Sequence, residues 1–223
     1  MITSFQKFYQ ESVHRKGLGS LTIFDIDDTL FHTTAKVGVL DAEGRPKTIS
    51  NAEFNTYKWQ PGETPDFSEF RDARKFNQES TPIPSMVNKM IGILGNVHKN
   101  PKSRVIIITA RGDFDDRETF LDTFRKHGIK IDMVHVERAV NLQANVAVAQ
   151  KKAIIIRKYL DTNMFDVARL YDDASGNIEA FVELSGEYPD VEFEGYLVDT
   201  QGRAHRINKL VMQKARNMLI INK

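Results

Sequence analysis

The sequence predicts an α/β protein: a parallel sheet with helices packed against it, interrupted by one insertion early in the chain. Three observations carry that prediction. Short runs rich in branched residues alternate with longer stretches of helical period, the pattern of a parallel sheet flanked by helices. The first two core runs, residues 21–24 and 105–108, are apolar almost throughout, as suits central strands buried on both faces. The chain of 223 residues, 41% of them hydrophobic, is long enough to fill one core and carry an insertion.

Taken in order, residues 1–20 read as a polar, mildly amphipathic helix, because no apolar core of suitable length follows the first basic residue to make a signal peptide. The first strand spans 21–24. Residues 33–84 then break the alternation. Segments 36–40 and 46–49 flank the turn sequence Asp41-Ala42-Glu43-Gly44 and read as a hairpin, and the remainder is rich in Asn, Gln, Pro and aromatics. This stretch is expected to be a small cap insertion over the C-terminal end of the first strand, with 1–32 and 85–223 forming the core domain. A second strand is predicted at 105–108. A helix follows over 116–127, with Phe120, Leu121 and Phe124 on one face and Gly128 as its stop. Residues 131–136 read as a strand, 150–160 as a helix with Ile155, Ile156, Tyr159 and Leu160 as its buried stripe, and 167–171 as a strand. A last strand is expected at 192–198, then a turn at Gly202 and an apolar-striped helix over 207–220.

Basic and acidic residues nearly cancel, 31 against 30, so net charge exerts no general pull toward nucleic acid or membrane. The absence of cysteine excludes disulfides and thiolate chemistry and fits a reducing cytosol. No apolar stretch is long enough to cross a bilayer. A soluble, cytoplasmic protein is the expectation.

Chemistry concentrates where the strands end. The first strand runs into Asp25-Ile26-Asp27-Asp28-Thr29, three carboxylates within four residues. Read alone, they could cap a surface helix. The strand at 167–171 ends in a second acidic pair, Asp172 and Asp173, and parallel strands place both C-terminal ends on one sheet edge, where ligands collect. Several carboxylates converging there are costly without a cation and make an oxygen-rich site for a hard divalent ion such as magnesium. The strand at 105–108 runs into Thr109-Ala110-Arg111-Gly112, bringing a hydroxyl and a guanidinium suited to phosphate oxygens.

These motifs, in this order, resemble the haloacid dehalogenase (HAD) superfamily. Asp25, Asp27 and Thr29 match its first motif, Thr109 the second, Lys151 or Lys152 the third, and Asp172 with Asp173 the fourth. The resemblance implies a three-layer, Rossmann-like (HAD-like) α/β fold with a C1-type cap, and a Mg2+-dependent phosphatase. It implies Asp25 as covalent nucleophile and Asp27 as general acid and base. Magnesium would be held by the Asp25 side chain, the Asp27 main-chain carbonyl and Asp172, with Asp173 supporting. Thr109 and one lysine would hold the phosphoryl oxygens, and Thr29 and Arg111 would assist in substrate binding. Adjacent helical side chains point about 100° apart, so one lysine faces the site, and Lys152 shares the apolar stripe better than Lys151. Residues 36–84 and 107–136 also resemble bacteriophage-encoded members, and 108–136 is similar to the phosphatase half of polynucleotide kinase-phosphatases. The resemblance therefore implies a nucleotide or polynucleotide-end phosphate as substrate. An acid or small-metabolite phosphatase is the alternative, and a catalytically silent binding protein would be expected to have lost one of these acids.

Other residues carry weaker signals. His32 lies close to the first motif, while His98, His127, His135 and His205 show no metal-ligand spacing. Tyr57, Trp59, Phe67, Phe70 and Phe76 suit either stacking on a base or packing of a small cap. Residues 200–223 carry Arg203, Arg206, Lys209, Lys214, Arg216 and Lys223 with no acid, next to the acid-rich segment from Glu179 to Asp199. Mutual compensation is the simpler reading, and a surface tracking a phosphate backbone is the other.

Overall fold

The core runs at 21–24 and 105–108 are apolar at nearly every position, so the sheet they build must be covered on both sides. A computed structural model describes residues 18–54, 57–97 and 99–207 of the chain and has this architecture. The strands are β1 (Gly19–Phe24), β2 (Phe31–His32), β3 (Val37–Leu40), β4 (Pro46–Ile49), β5 (Thr64–Asp66), β6 (Thr81–Pro82), β7 (Arg104–Thr109), β8 (His135–Arg138), β9 (Phe165–Asp172), β10 (Glu192–Val198) and β11 (Ala204–Ile207). The helices between them are α1 (Asn51–Phe54), α2 (Ala73–Glu79), α3 (Pro84–Val97), α4 (Arg117–Arg125), α5 (Val148–Leu160) and α6 (Ser175–Glu183). Six strands form the main sheet in the order β11-β10-β9-β1-β7-β8, parallel except for the β10–β11 pair.

The two-residue period of a strand sends alternate side chains to opposite layers. Phe24, Val105, Ile107 and Tyr171 meet Phe76, Met86, Met90, Phe120 and Phe124 from α2, α3 and α4. Leu21, Ile23, Ile106, Ile108 and Leu170 meet Ile155, Ile156 and Phe181 from α5 and α6. Each such large apolar side chain contributes about 1.5–3 kcal/mol when fully buried. Two cores, one on each face, therefore hold the sheet in place.

Local signals set the helix ends. Asp116 caps α4 by accepting from the backbone N–H of Glu118 and Thr119, and Gly128 takes φ 80° just past its end, a conformation that side chains with a Cβ resist. Gly202 makes the β10–β11 turn at φ 73°. Its carbonyl accepts from the Ser85 hydroxyl at 2.6 Å, and a Cβ there would lie 2.4 Å from Ile83, so the hairpin seats directly on the start of α3.

Several boundaries differ from the sequence expectation. The expected strand at 131–136 begins later: Ile131–Met133 is a 3-10 turn in which Val134 N–H donates to the Ile131 carbonyl, and pairing with β7 starts at His135. Buried Ile131 anchors that turn beneath α4, and an ion pair of Asp132 with Arg125 at 2.6 Å closes it, which delays the strand. Ile207, expected to start a helix, ends β11, because the Gly202 turn folds 204–207 back along β10 as an antiparallel edge strand. The remainder of that expected helix, and residues 1–17 of the helix expected at 1–20, lie outside the described residues, while Gly19 and Ser20 belong to β1, paired with β9, and are not helical. No helix among the described residues is long and apolar enough to cross a membrane.

The stretch 33–84 is built in two parts. β4, β3 and β5 form a small antiparallel sheet, with Ala35, Val37 and Phe70 as its own cluster. Ala73, Phe76 and Ile83 instead join the main core. Polar contacts reinforce that attachment: Ala73 N–H donates to Asp115 at 3.0 Å, and the Asn77 amide donates to the Thr119 carbonyl and the Thr123 hydroxyl.

Candidate active site

The sheet order reverses beside β1: the chain runs outward from β1 to β7 and β8, then returns to β9 on the other flank of β1. Such reversals open a crevice at the C-terminal strand ends. Asp25 leaves β1 there with its N–H bonded to the Tyr171 carbonyl at 3.0 Å, which sets it beside Asp172 at the end of β9. Oxygens of Asp25, Asp172 and Asp173 all lie within 4.8 Å of one another.

Among the described residues, one cation enters this cluster. Lys152, buried on α5, donates to Asp25 Oδ1 at 2.8 Å and to Asp172 Oδ2 at 2.7 Å. Its neighbour Lys151 donates to the Leu142 carbonyl at 2.9 Å, so of the two lysines Lys152 reaches the carboxylates. Asp172 Oδ1 also accepts from Ala174 N–H at 3.0 Å and from the Asn177 amide at 2.8 Å. Burial, with Asp172 and Asp27 nearby, outweighs Lys152 and pushes the Asp25 carboxyl up to about 7. Burial, Asp25 and Asp172 push Asp173 up to about 8. Burial opposes a charge on Lys152, but Asp172 and Asp25 more than compensate and hold its ammonium above the ordinary range. Negative charge is thus in excess. One ammonium does not neutralise three carboxylates, and an all-oxygen donor set of this kind fits a hard divalent cation.

Asp27 has a cation of its own. The chain after β1 makes one tight turn, with Leu30 N–H bonded to the Ile26 carbonyl at 2.9 Å and Asp28 at φ 52°. Asp27 leaves this turn to meet Arg111, whose Nε is 2.9 Å from Oδ2 and whose Nη2 is 2.6 Å from Oδ1; the Thr33 hydroxyl adds a bond to Oδ1 at 2.8 Å. Arg111 is 1% exposed. Its guanidinium carbon lies 4.9, 4.7 and 5.6 Å from the rings of Phe70, Phe76 and Phe114, and Nη1 donates to the Phe70 carbonyl.

A cavity of about 610 Å3 opens over these groups, with Asp25, Asp27, Arg111, Lys151, Lys152 and Asp173 among its lining. Thr29, Thr109 and Asp172 are fully buried and lie outside that lining. Thr109 Oγ1 accepts from Arg111 N–H at 3.1 Å, and the Thr29 hydroxyl has no hydrogen-bond partner among the described residues. His32 sits 3.2 Å from Asp28. Arg203 pairs with Asp199 at 2.7 Å, and Arg206 with Glu192 and Glu194, as compensation between the two strands requires. Lys209, Lys214, Arg216 and Lys223 lie outside the described residues.

Sequence reasoning missed Asn177, although an Asn one helical turn after an acidic pair is a legible cue for a carboxylate clamp. It also missed that Arg111 pairs with Asp27. Nothing in the local sequence announces a partner 84 residues away.

No family model matches the sequence, and no curated protein matches it. Among solved structures, the chain is similar to one described as the HAD domain of the effector protein Lem4 from Legionella pneumophila, at 8% identity, a TM-score of 0.47, and coverage of 92% of this chain and 96% of that one.

Proposed function

We propose that this protein is a magnesium-dependent phosphomonoester hydrolase working through an aspartyl-phosphate on Asp25. The observation that carries the reading is the convergence of Asp25, Asp172, Asp173 and Lys152 at the reversal of strand order, beside a cavity lined by Asp25, Asp27, Lys152 and Asp173. The order of the motifs, which resembles the haloacid dehalogenase superfamily, supports it.

Asp25, Asp172 and Asp173, with the Asp27 main-chain carbonyl, would hold the magnesium ion. Bound there, the ion would offset repulsion between an anionic nucleophile and an anionic substrate. An Asp25 oxygen forms a bond to phosphorus as the ester P–O bond breaks, and the departing alkoxide takes a proton from Asp27. A water molecule then gives its proton to Asp27 and attacks phosphorus. The bond to Asp25 breaks and inorganic phosphate leaves. Lys152 orients Asp25 and stabilises charge on the transferring group. Thr109 shapes the same edge, and Arg111 holds Asp27 in place. Nucleotides and phosphorylated polynucleotide ends are the substrates favoured by the resemblance, with acid or small-metabolite phosphatase activity as the other arm of a substrate panel.

The two carboxylates of the first motif provide the test. With an aryl phosphate, whose leaving group needs little protonation, Asp27→Asn should accumulate phosphorylated protein on rapid quenching, whereas Asp25→Asn should remain unmodified and inactive. Near-native turnover by Asp25→Asn overturns the assignment.

A further inference from the structure

The cavity is far larger than a phosphate requires. At about 610 Å3 it lies in the range of sites that enclose whole small molecules. Beyond the charged edge, part of its wall is apolar and comes from two separate parts of the chain, Val37, Phe54, Phe67 and Phe70 from the insertion, and Val140 and Val148 from the segment leading into and beginning α5, with Arg71, Asp113 and Asn141 among the polar residues beside them. Phe67 is the informative member. It is 43% exposed, yet it is held edge-on between Phe54 and Phe70, at centroid distances of 5.4 and 6.4 Å. A large ring kept at a cavity wall without being buried in a core offers a face to a ligand.

We propose that this wall is a subsite for a planar aromatic group carried by the phosphate ester, of nucleobase or aryl kind, placed so that its phosphate reaches Asp25. This rests on the phosphomonoesterase reading and narrows it to aromatic esters. Stacking on an aromatic face recognises any planar ring, because its strength comes from the π surface rather than from base-edge hydrogen bonds.

The test compares ester pairs that leave with similar alcohols and differ in the ring: adenosine 5′-monophosphate against ribose 5-phosphate, and benzyl phosphate against cyclohexylmethyl phosphate. The full chain with magnesium should prefer the aromatic member of at least one pair by about tenfold or more in kcat/KM. A preference in the first pair alone assigns the nucleobase, and in the second alone the aryl group. Phe67→Ala should bring the preferred ratio toward one, Phe67→Trp should keep it, and Met133→Ala, at an exposed position outside the cavity, should leave it unchanged. The single tryptophan, Trp59, lies 6.1 Å from the cavity-lining Phe54, so its fluorescence reports binding independently of turnover. Ratios near one in both pairs overturn the subsite. If no ester, an activated aryl phosphate included, is turned over while adenosine monophosphate perturbs Trp59 and ribose 5-phosphate does not, the phosphatase reading falls and the subsite stands. If neither selective turnover nor selective binding is found, the subsite falls.

Discussion

Two buried cations meet the carboxylates just past β1, and they are held in unlike ways. Lys152 is a compact ammonium on a core helix, bridging Asp25 and Asp172 within one rigid edge of the sheet. Arg111 is a planar fork that binds Asp27 and stacks among Phe70, Phe76 and Phe114, the first two from residues 33–84. The ammonium tunes charge where three acids crowd together. The guanidinium ties a carboxylate to residues 33–84 as well as to the end of β7, so its loss should loosen two regions at once.

The largest effect is expected at the ammonium. Lys152→Met leaves Asp25 and Asp172 facing each other without compensation; metal-free stability should drop by about 3–5 kcal/mol, and turnover in magnesium by roughly 10²–10³-fold. Denaturant titration and steady-state kinetics read the two consequences separately. Lys151→Ala, which removes one bond to a main-chain carbonyl, should cost about 1 kcal/mol or less. If Lys151→Ala proved the more damaging to turnover, Lys152 would lose its place in the mechanism.

Next comes the guanidinium. Arg111→Lys keeps the charge but cannot reproduce the bidentate bond or the ring stacking, and so should behave more like Arg111→Ala than like the parent protein. We expect about 3–5 kcal/mol of destabilisation for Arg111→Ala. Proteolysis within residues 57–72 should also become faster. An Arg111→Lys variant with parental stability and protease resistance would show that the fork is dispensable.

A smaller effect distinguishes the clusters by pH. The Asp25 and Asp173 carboxyls are raised from an ordinary 3.8 to about 7 and about 8, so the folded metal-free protein binds more protons than the unfolded chain between these values. The stability they contribute is therefore fully present below the ordinary 3.8, where both are protonated, and is lost progressively as pH rises, the last of it between about 7 and 8. Magnesium should raise Tm more at pH 8.5 than at pH 6, because it replaces those protons. Metal-free Tm rising across this interval would contradict the charge excess. The smallest effect is expected far from the site: Arg206→Ala, at an exposed ion pair, should shift stability by about 0–1 kcal/mol.

The main sheet was largely legible because its signals are local. Branched runs, the Asp116 cap and the glycines at 128 and 202 act over a few residues, and each shapes the element where it stands. The strand expected at 131–136 was misread because Ile131 serves α4 rather than the sheet, a role that its branched side chain does not reveal. The strand at 204–207 was missed because its polar composition suits an edge, where pairing to β10 supplies the order that hydrophobic pattern does not.

By itself, the sequence determined which strand ends carry acids, hydroxyl and cations, since that depends only on the residues at the end of each apolar run. Only the tertiary structure decided which of these groups meet. Asp25 and Asp172 are 147 residues apart and become neighbours through the β1–β9 register, Lys152 rather than Lys151 reaches them through the rotation of α5, and Arg111 joins Asp27 across β1 and β7. Such pairings depend on register, helix rotation and long-range packing, which no local window of residues contains.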